Sequence, residues 1–158
     1  MKVETTDDSI VIRVELPATA GTVWQVLVDP SHISSWWGAY VSFEARPGGQ
    51  LIERWSDGSR EVTTSGRVFH VEPPQSLELT WANDDWPAET RVSFNLSEHA
   101  RRTELVVIHS GWDLLPAPER ATLMRHHAAG WTHNLKNLSD YIRELITGSG
   151  SPHNLSPA

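Results

Sequence analysis

The chain has 158 residues, 39% of them hydrophobic and 21% charged, with no cysteine and a net charge of −7. This length suits one domain that buries roughly 70% of its unfolded surface without staples, and the lack of cysteine excludes disulfides, thiolate nucleophiles and Cys-based metal sites. The two Lys and eleven Arg are scattered, with Arg101-Arg102 the one adjacent pair, so the clustered cations that grip phosphate are missing and no nucleic-acid partner is expected.

Residues 9–16 alternate Ile10, Ile12, Val14 and Leu16 with Val11, Arg13 and Glu15, the period of a strand. Pro17 ends it. Trp24, Leu27 and Val28 then lie at helical spacing, so 22–28 is a short helix broken by Asp29-Pro30. A second short helix is expected over 31–36, with Ser31 as its N-cap. Strands follow at 40–44 and 50–55, separated by Arg46-Pro47-Gly48-Gly49. Asp57-Gly58 is a hairpin-type turn. The strand 61–71 should bend near Gly66 and stop at Pro73-Pro74. Alternation predicts three more strands, at 76–81, 90–96 and 103–109. Pro118 fits a first helical turn, and bulky positions recur at Met124, Ala128, Trp131, Leu135, Leu138, Ile142 and Leu145. That stripe predicts a helix over 118–147, roughly 45 Å long, with Gly148 as its C′ residue. Residues 148–158 read as a disordered tail.

The order is strand, two short helices, six strands, long helix. An antiparallel meander with one apolar face needs a cover, and the last helix supplies it. The predicted architecture is α+β: one domain over 1–147, a curved antiparallel sheet around a long C-terminal helix, with a gap between them. No run of ~18 apolar residues occurs, so no membrane span is expected. The opening residues have no apolar signal segment, which points to the cytoplasm.

Eight Trp is the unusual total; they fit a core or an aromatic-lined pocket. Trp131 lies on the helical stripe, and Trp81 is in phase with Leu77 and Leu79. His109 continues the phase of Leu105 and Val107, and His127 lies one turn before Trp131. Inward imidazoles must find partners, whether a backbone group, a Trp N–H or a ligand. His126 points elsewhere, toward solvent. Trp55 shares its phase with Leu51 and also with Glu53; the sequence leaves open whether that phase is inward. If it is, Glu53 is a buried carboxylate, costly without a partner. Gly130 costs about 1 kcal/mol relative to Ala in a helix; it serves either close helix–sheet packing or room for a ligand. Trp86 either covers the mouth or packs on the edge. Of Trp36 and Trp37, one is expected in the core and one near an entrance.

The pieces WWG (36–38), RPGG (46–49), GRVFHVEPPQSLELTW (66–81), HSGW (109–112) and HHAAGW (126–131) occur in an order and spacing that resemble a known family. It is the family related to the C-terminal domain of the activator of heat-shock-protein-90 ATPase, within the SRPBCC or START-like superfamily. The resemblance covers residues 9–145 and implies the helix-grip fold with a hydrophobic cavity between sheet and long helix. It leaves the contents open, because that superfamily includes lipid carriers, receptors, polyketide cyclases, toxin-sequestering proteins and co-chaperone domains. Trp112, where Phe is common, together with His133 and Asn134, implies a narrower cavity with a more polar wall.

The candidate ligand-binding residues are Trp37, Tyr40, Trp55, Trp81, Phe94, His109, Trp112, His127, Trp131 and Asn134. No nucleotide or hydrolase fingerprint is present, and no carboxylate or Cys set accompanies the His residues. No metal or cofactor is therefore expected. Three functions fit: binding of a small apolar or aromatic ligand, a cyclase-like enzyme using His109, His127 or Glu53, and a co-chaperone-like module with a protein partner. The Trp-rich lining favours the first.

Overall fold

The computed structural model describes residues 1–148. Eight strands form one antiparallel sheet: β1 (Lys2–Thr5), β2 (Ser9–Leu16), β3 (Val41–Phe43), β4 (Gln50–Ser56), β5 (Glu61–Glu72), β6 (Ser76–Asn83), β7 (Thr90–His99) and β8 (Arg102–Ser110). Their order across the sheet is β1-β2-β8-β7-β6-β5-β4-β3. Two short helices, α1 (Ala20–Val28) and α2 (Pro30–Trp36), follow β2, and the long helix α3 (Ala117–Gly148) is the last element of the described residues. This is the expected α+β helix-grip architecture, with one strand more than the sequence suggested. The extra strand is β1, an exposed edge whose KVET carries no apolar alternation; it pairs with β2 through its backbone, from Lys2 opposite Arg13 to Thr5 opposite Ile10.

The register lines up the buried rows. Ile10, Ile12, Val14 and Leu16 of β2 face His109, Val107, Leu105 and Thr103 of β8. Val92, Phe94 and Leu96 of β7 continue the row beyond β8, and Leu77, Leu79 and Trp81 of β6 extend it further. α3 lays Met124, Trp131, Leu135, Leu138 and Ile142 into the core formed with that face. The helical stripe read from the sequence is thus the seam between helix and sheet.

Local chemistry differs from expectation at three points. The N-cap of α2 is Asp29, whose carboxylate accepts from the Ser31 N–H at 2.9 Å. Pro30, which read as a breaker, is instead the first helical residue, where it sacrifices no intrahelical bond. The register shift in β5 falls between Val68 and His70, not at Gly66. Gly66 serves close approach instead: a Cβ there would sit 1.9 Å from the Thr80 carbonyl oxygen on β6. Finally, both Trp36 and Trp37 are buried, at 2% and 5% exposure. Trp36 donates to the Val26 carbonyl at 2.9 Å and so ties α2 to α1. Neither lies at an entrance. The expected tail lies, but for Gly148, outside the described residues.

Candidate ligand-binding site

A cavity of about 700 Å³, open on one side, lies between the β4–β6 end of the sheet and the first half of α3. Glu53 and Trp55 of β4, Val62 and Thr64 of β5, and Trp81 and Asn83 of β6 supply its sheet wall. The helix wall is Leu123, His126, His127, Gly130, Trp131, His133 and Asn134, one face at three- and four-residue steps. Tyr40, the turn residues Asp57, Ser59 and Arg60, and Asp85 with Trp86 complete it. The volume is that of an ordinary small-molecule site.

Gly130 decides between its two readings. A Cβ built there meets nothing within 4 Å, so the residue is not a point of close helix–sheet packing. It leaves the helix wall recessed.

Behind the cavity, His109 is fully buried. Its Nδ1 accepts from the Trp131 indole N–H at 3.1 Å. An indole N–H can only donate, so the His109 proton sits on Nε2, which donates to Thr90 Oγ1 at 2.7 Å. The Thr90 hydroxyl passes the chain on to the Trp81 carbonyl at 2.6 Å. Every member has its partner, and the imidazole is locked neutral in one tautomer. Burial, with His127 beside it, holds its pKa well below the usual histidine range.

His127 has the opposite tautomer. Its Nδ1 lies 3.0 Å from the Leu123 carbonyl, one turn back on α3. A carbonyl only accepts, so Nδ1 carries the proton and Nε2 is a bare lone pair. Among the described residues nothing in the protein bonds that Nε2, and it is not among the atoms sealed from solvent; His127 lines the cavity. The ring is packed by Trp86 at 5.3 Å, Trp112 at 5.0 Å, His109 at 5.3 Å and Trp81 at 6.3 Å between centroids. Burial, with His126 acting in the same direction, lowers its pKa to about 4, so it is a neutral acceptor near pH 7.

The phase that the sequence left open in β4 is inward: Leu51 is buried and Glu53 and Trp55 are half-buried, while Arg54 is exposed. Pairing of β4 with β5 runs unbroken from Gln50–Arg67 to Ser56–Glu61, so no bulge flips the strand. Glu53 is therefore an inward carboxylate. The Trp37 N–H donates to it at 3.1 Å, and burial still raises its pKa. Trp55 donates to Thr64 Oγ1 at 3.0 Å, and Thr64 donates to Asn83 Oδ1 at 2.7 Å. Burial raises the pKa of Tyr40, with Glu53 adding to it. Asp57 is held at about 2, first by the Ser59 backbone N–H.

Of the ten candidate residues, Tyr40, Trp55, Trp81, His127, Trp131 and Asn134 line the cavity. Four do not. His109 and Trp112 stand one layer behind, with ring centroids 4.4 Å apart and Trp112 donating to the His109 carbonyl at 3.1 Å. Trp37 and Phe94 face a separate void of about 10 Å³, no more than a water's space. Strand phase shows which face a side chain takes, not whether another ring stands in front of it. Residues that the candidate set lacked include Thr64, Asn83 and the turn residues Asp57, Ser59 and Arg60. Thr64 and Asn83 carried a signal, since they share the inward phase of Val62 and Trp81. The turn residues carried none. Trp86 both lines the cavity and packs edge-on against Trp112 at 5.4 Å. His126 is exposed, as expected, yet sits at the rim.

The model of the Activator of Hsp90 ATPase homolog 1-like family matches residues 17–143. The chain belongs to that family. Among solved structures it is similar to DynU16, a protein in the dynemicin biosynthetic locus, at 29% identity and a TM-score of 0.70. That match covers 90% of this chain and 49% of DynU16, so the chain spans about half of that relative's length. CalU16 from Micromonospora echinospora is 27% identical with a TM-score of 0.64, over 85% of this chain and 74% of CalU16. The Aha1 dimer from Colwellia psychrerythraea, at 21% identity and 0.70, covers 85% of this chain and 97% of its own; at that identity the likeness concerns the fold alone. No curated protein matches. Among the described residues no three potential metal ligands gather, and no helix is long and apolar enough to cross a membrane.

Proposed function

We propose that this family member binds a small apolar or aromatic ligand in the cavity between β4–β6 and α3. The observation that carries the reading is the makeup of the cavity. Four Trp (Trp55, Trp81, Trp86 and Trp131) supply flat apolar surface, and eleven polar or charged side chains share the lining with them. Large aromatic faces beside groups that can fix a ligand's orientation are features of a small-molecule site. The recess at Gly130 supports it, because a helix glycine with open space above it gives up about 1 kcal/mol of propensity for no packing gain. Similarity to DynU16, a protein in the dynemicin biosynthetic locus, is consistent with such a ligand.

Native mass spectrometry of the purified protein, before and after denaturation, tests the reading. One small molecule per chain, released on denaturation, is the expected result. An unliganded mass that persists after incubation with polycyclic aromatic compounds would contradict it.

One observation favours catalysis as a second reading. Glu53, with a pKa raised by burial, and His127, with one lowered by burial, line the same cavity, and titratable groups perturbed by desolvation in a cleft are candidates for acid–base roles. Under this reading His127→Gln would abolish turnover of a bound ligand while leaving its retention intact.

A further inference from the structure

Asn83 offers the cavity a hydrogen-bond donor whose direction the fold sets. Glu53, Thr64 and Asn83 stand opposite one another in a row across β4, β5 and β6. The Trp55 indole donates to Thr64 Oγ1, and an indole N–H can only donate. The Thr64 hydroxyl must therefore place its own proton elsewhere. Thr64 is 1% exposed, and its acceptor is Asn83 Oδ1 at 2.7 Å. Turning the amide over would set an N–H against that hydroxyl and leave the hydroxyl proton without a partner, a costly loss for a buried group. Asn83 Nδ2 is thus turned away from Thr64.

Asn83 is 8% exposed. Among the described residues no protein group bonds its Nδ2, yet that atom is not among those sealed from solvent. Asn83 lines the cavity, so the surface left to Nδ2 is cavity surface. Its backbone is fixed as well, since the Asn83 carbonyl accepts from the Trp86 N–H at 3.0 Å. The amide is thereby tied to two of the aromatic walls, to Trp55 through Thr64 and to Trp86 through the backbone. A placed polar group among aromatic side chains is the kind that fixes a ligand's orientation.

The partner of an amide N–H is a lone pair. An anion is disfavoured, because Glu53, Asp57 and Asp85 line the same cavity and its arginine, Arg60, is already held by Asp84 and Asp85 at 3.0 and 3.1 Å. A pure hydrocarbon leaves the amide unpaired. A carbonyl conjugated to a ring accepts near the ring plane, so a flat ring can lie among the Trp side chains and still turn its oxygen to Asn83. Resting on the binding role proposed above, we infer that the ligand is an uncharged aromatic carbonyl compound whose oxygen accepts from Asn83 Nδ2–H. Asn83 is then a specificity determinant, and Thr64 is the positioning residue that keeps its amide turned to the cavity.

The test is a titration with acetylpyrene, ethylpyrene and pyrene carboxylate, followed by fluorescence anisotropy. The first two share a shape and exchange C=O for CH2, so the readout is the ratio of their affinities. In Asn83→Leu that ratio should fall about tenfold against the unaltered protein, the effect of one hydrogen bond whose loss leaves a buried group unpaired, while ethylpyrene binding is kept. Thr64→Val frees the amide to turn and should lower the ratio by a smaller factor, whereas a merely structural fault would weaken both compounds alike. With two variants the inference does not hang on one of them folding. The carboxylate should bind the unaltered protein most weakly. A ratio unchanged in Asn83→Leu would overturn the carbonyl assignment and leave the cavity reading standing. Tightest binding of the carboxylate would also overturn it. Failure of all three to bind would remove the cavity reading and this inference together.

Discussion

His109 shows how much one side chain can organise. It accepts from Trp131 on α3 and donates to Thr90 on β7 while sitting on β8, so a single imidazole fastens the helix to two strands. Replacing it by Leu leaves the buried Trp131 N–H unpaired, and a buried donor without a partner costs ~1–3 kcal/mol. With the lost packing added, His109→Leu should lower unfolding free energy by about 2–4 kcal/mol, measured by urea denaturation; a change near zero would mean the network is not formed. Gly130 should behave in the opposite sense. Gly130→Ala gains about 1 kcal/mol of helix propensity because its Cβ meets no neighbour, so the same experiment should show a more stable protein. Gly130→Phe should fold equally well but weaken ligand binding, since Gly130 lines the cavity and a Cβ there meets no neighbour. Loss of folding in that variant would show the space to be filled.

At the scale of elements, the sharpest constraint is the crossing of β5 and β6. The Thr80 carbonyl would stand 1.9 Å from a Cβ at residue 66, too close for any side chain. Gly66→Ala must push the strands apart where Trp81 and Thr64 face the cavity. Stability should fall by several kcal/mol, in the range reserved for overpacking and broken buried contacts; a thermal melt unchanged within a degree or two would contradict this. The elements were legible in the sequence wherever one period dominated. β2, β6, β7 and β8 alternate cleanly, and α3 carries its stripe from Met124 to Leu145. Legibility failed where backbone alone decides. β1 has no apolar signature because it is an exposed edge, and the bulge between Val68 and His70 leaves no mark in a sequence that points to Gly66. The cavity lining was legible as phase but not as depth. Trp112 and His109 have the right phase, yet Trp81, Trp131 and His127 stand between them and the cavity. Glu53 was written in the same phase as Leu51 and Trp55, and only the unbroken β4–β5 pairing settles that the phase is inward.

For the whole molecule, the buried imidazoles set the response to acid. Unfolded, both His109 and His127 would titrate near ~6.5. Folded, burial lowers both, His127 to about 4. The unfolded chain therefore binds more protons throughout that window, and protons favour unfolding. The stabilisation is complete above pH ~6.5 and is lost as pH falls toward about 4. Glu53, raised by burial, works the other way, and Asp57, held at about 2, adds its loss only in stronger acid. Melting temperature should therefore fall between pH 7 and 5, and the His109→Gln, His127→Gln double variant should show a shallower slope. A flat profile in the unaltered protein would mean that neither imidazole is held neutral. The same packing that makes these groups acid-sensitive encloses the space assigned to the ligand.

The central claim is that a ligand sits against one group of Trp rings and leaves another untouched. The eight indole N–H groups are separate reporters of that position, so the decisive measurement is their correlation spectrum during titration with acetylpyrene. The signals of Trp55, Trp81, Trp86 and Trp131, which line the cavity, should move. Trp36, bonded to the Val26 carbonyl behind α2, should stay in place. Movement of Trp36 without the cavity group, or no movement of any indole at saturating ligand, would contradict the account.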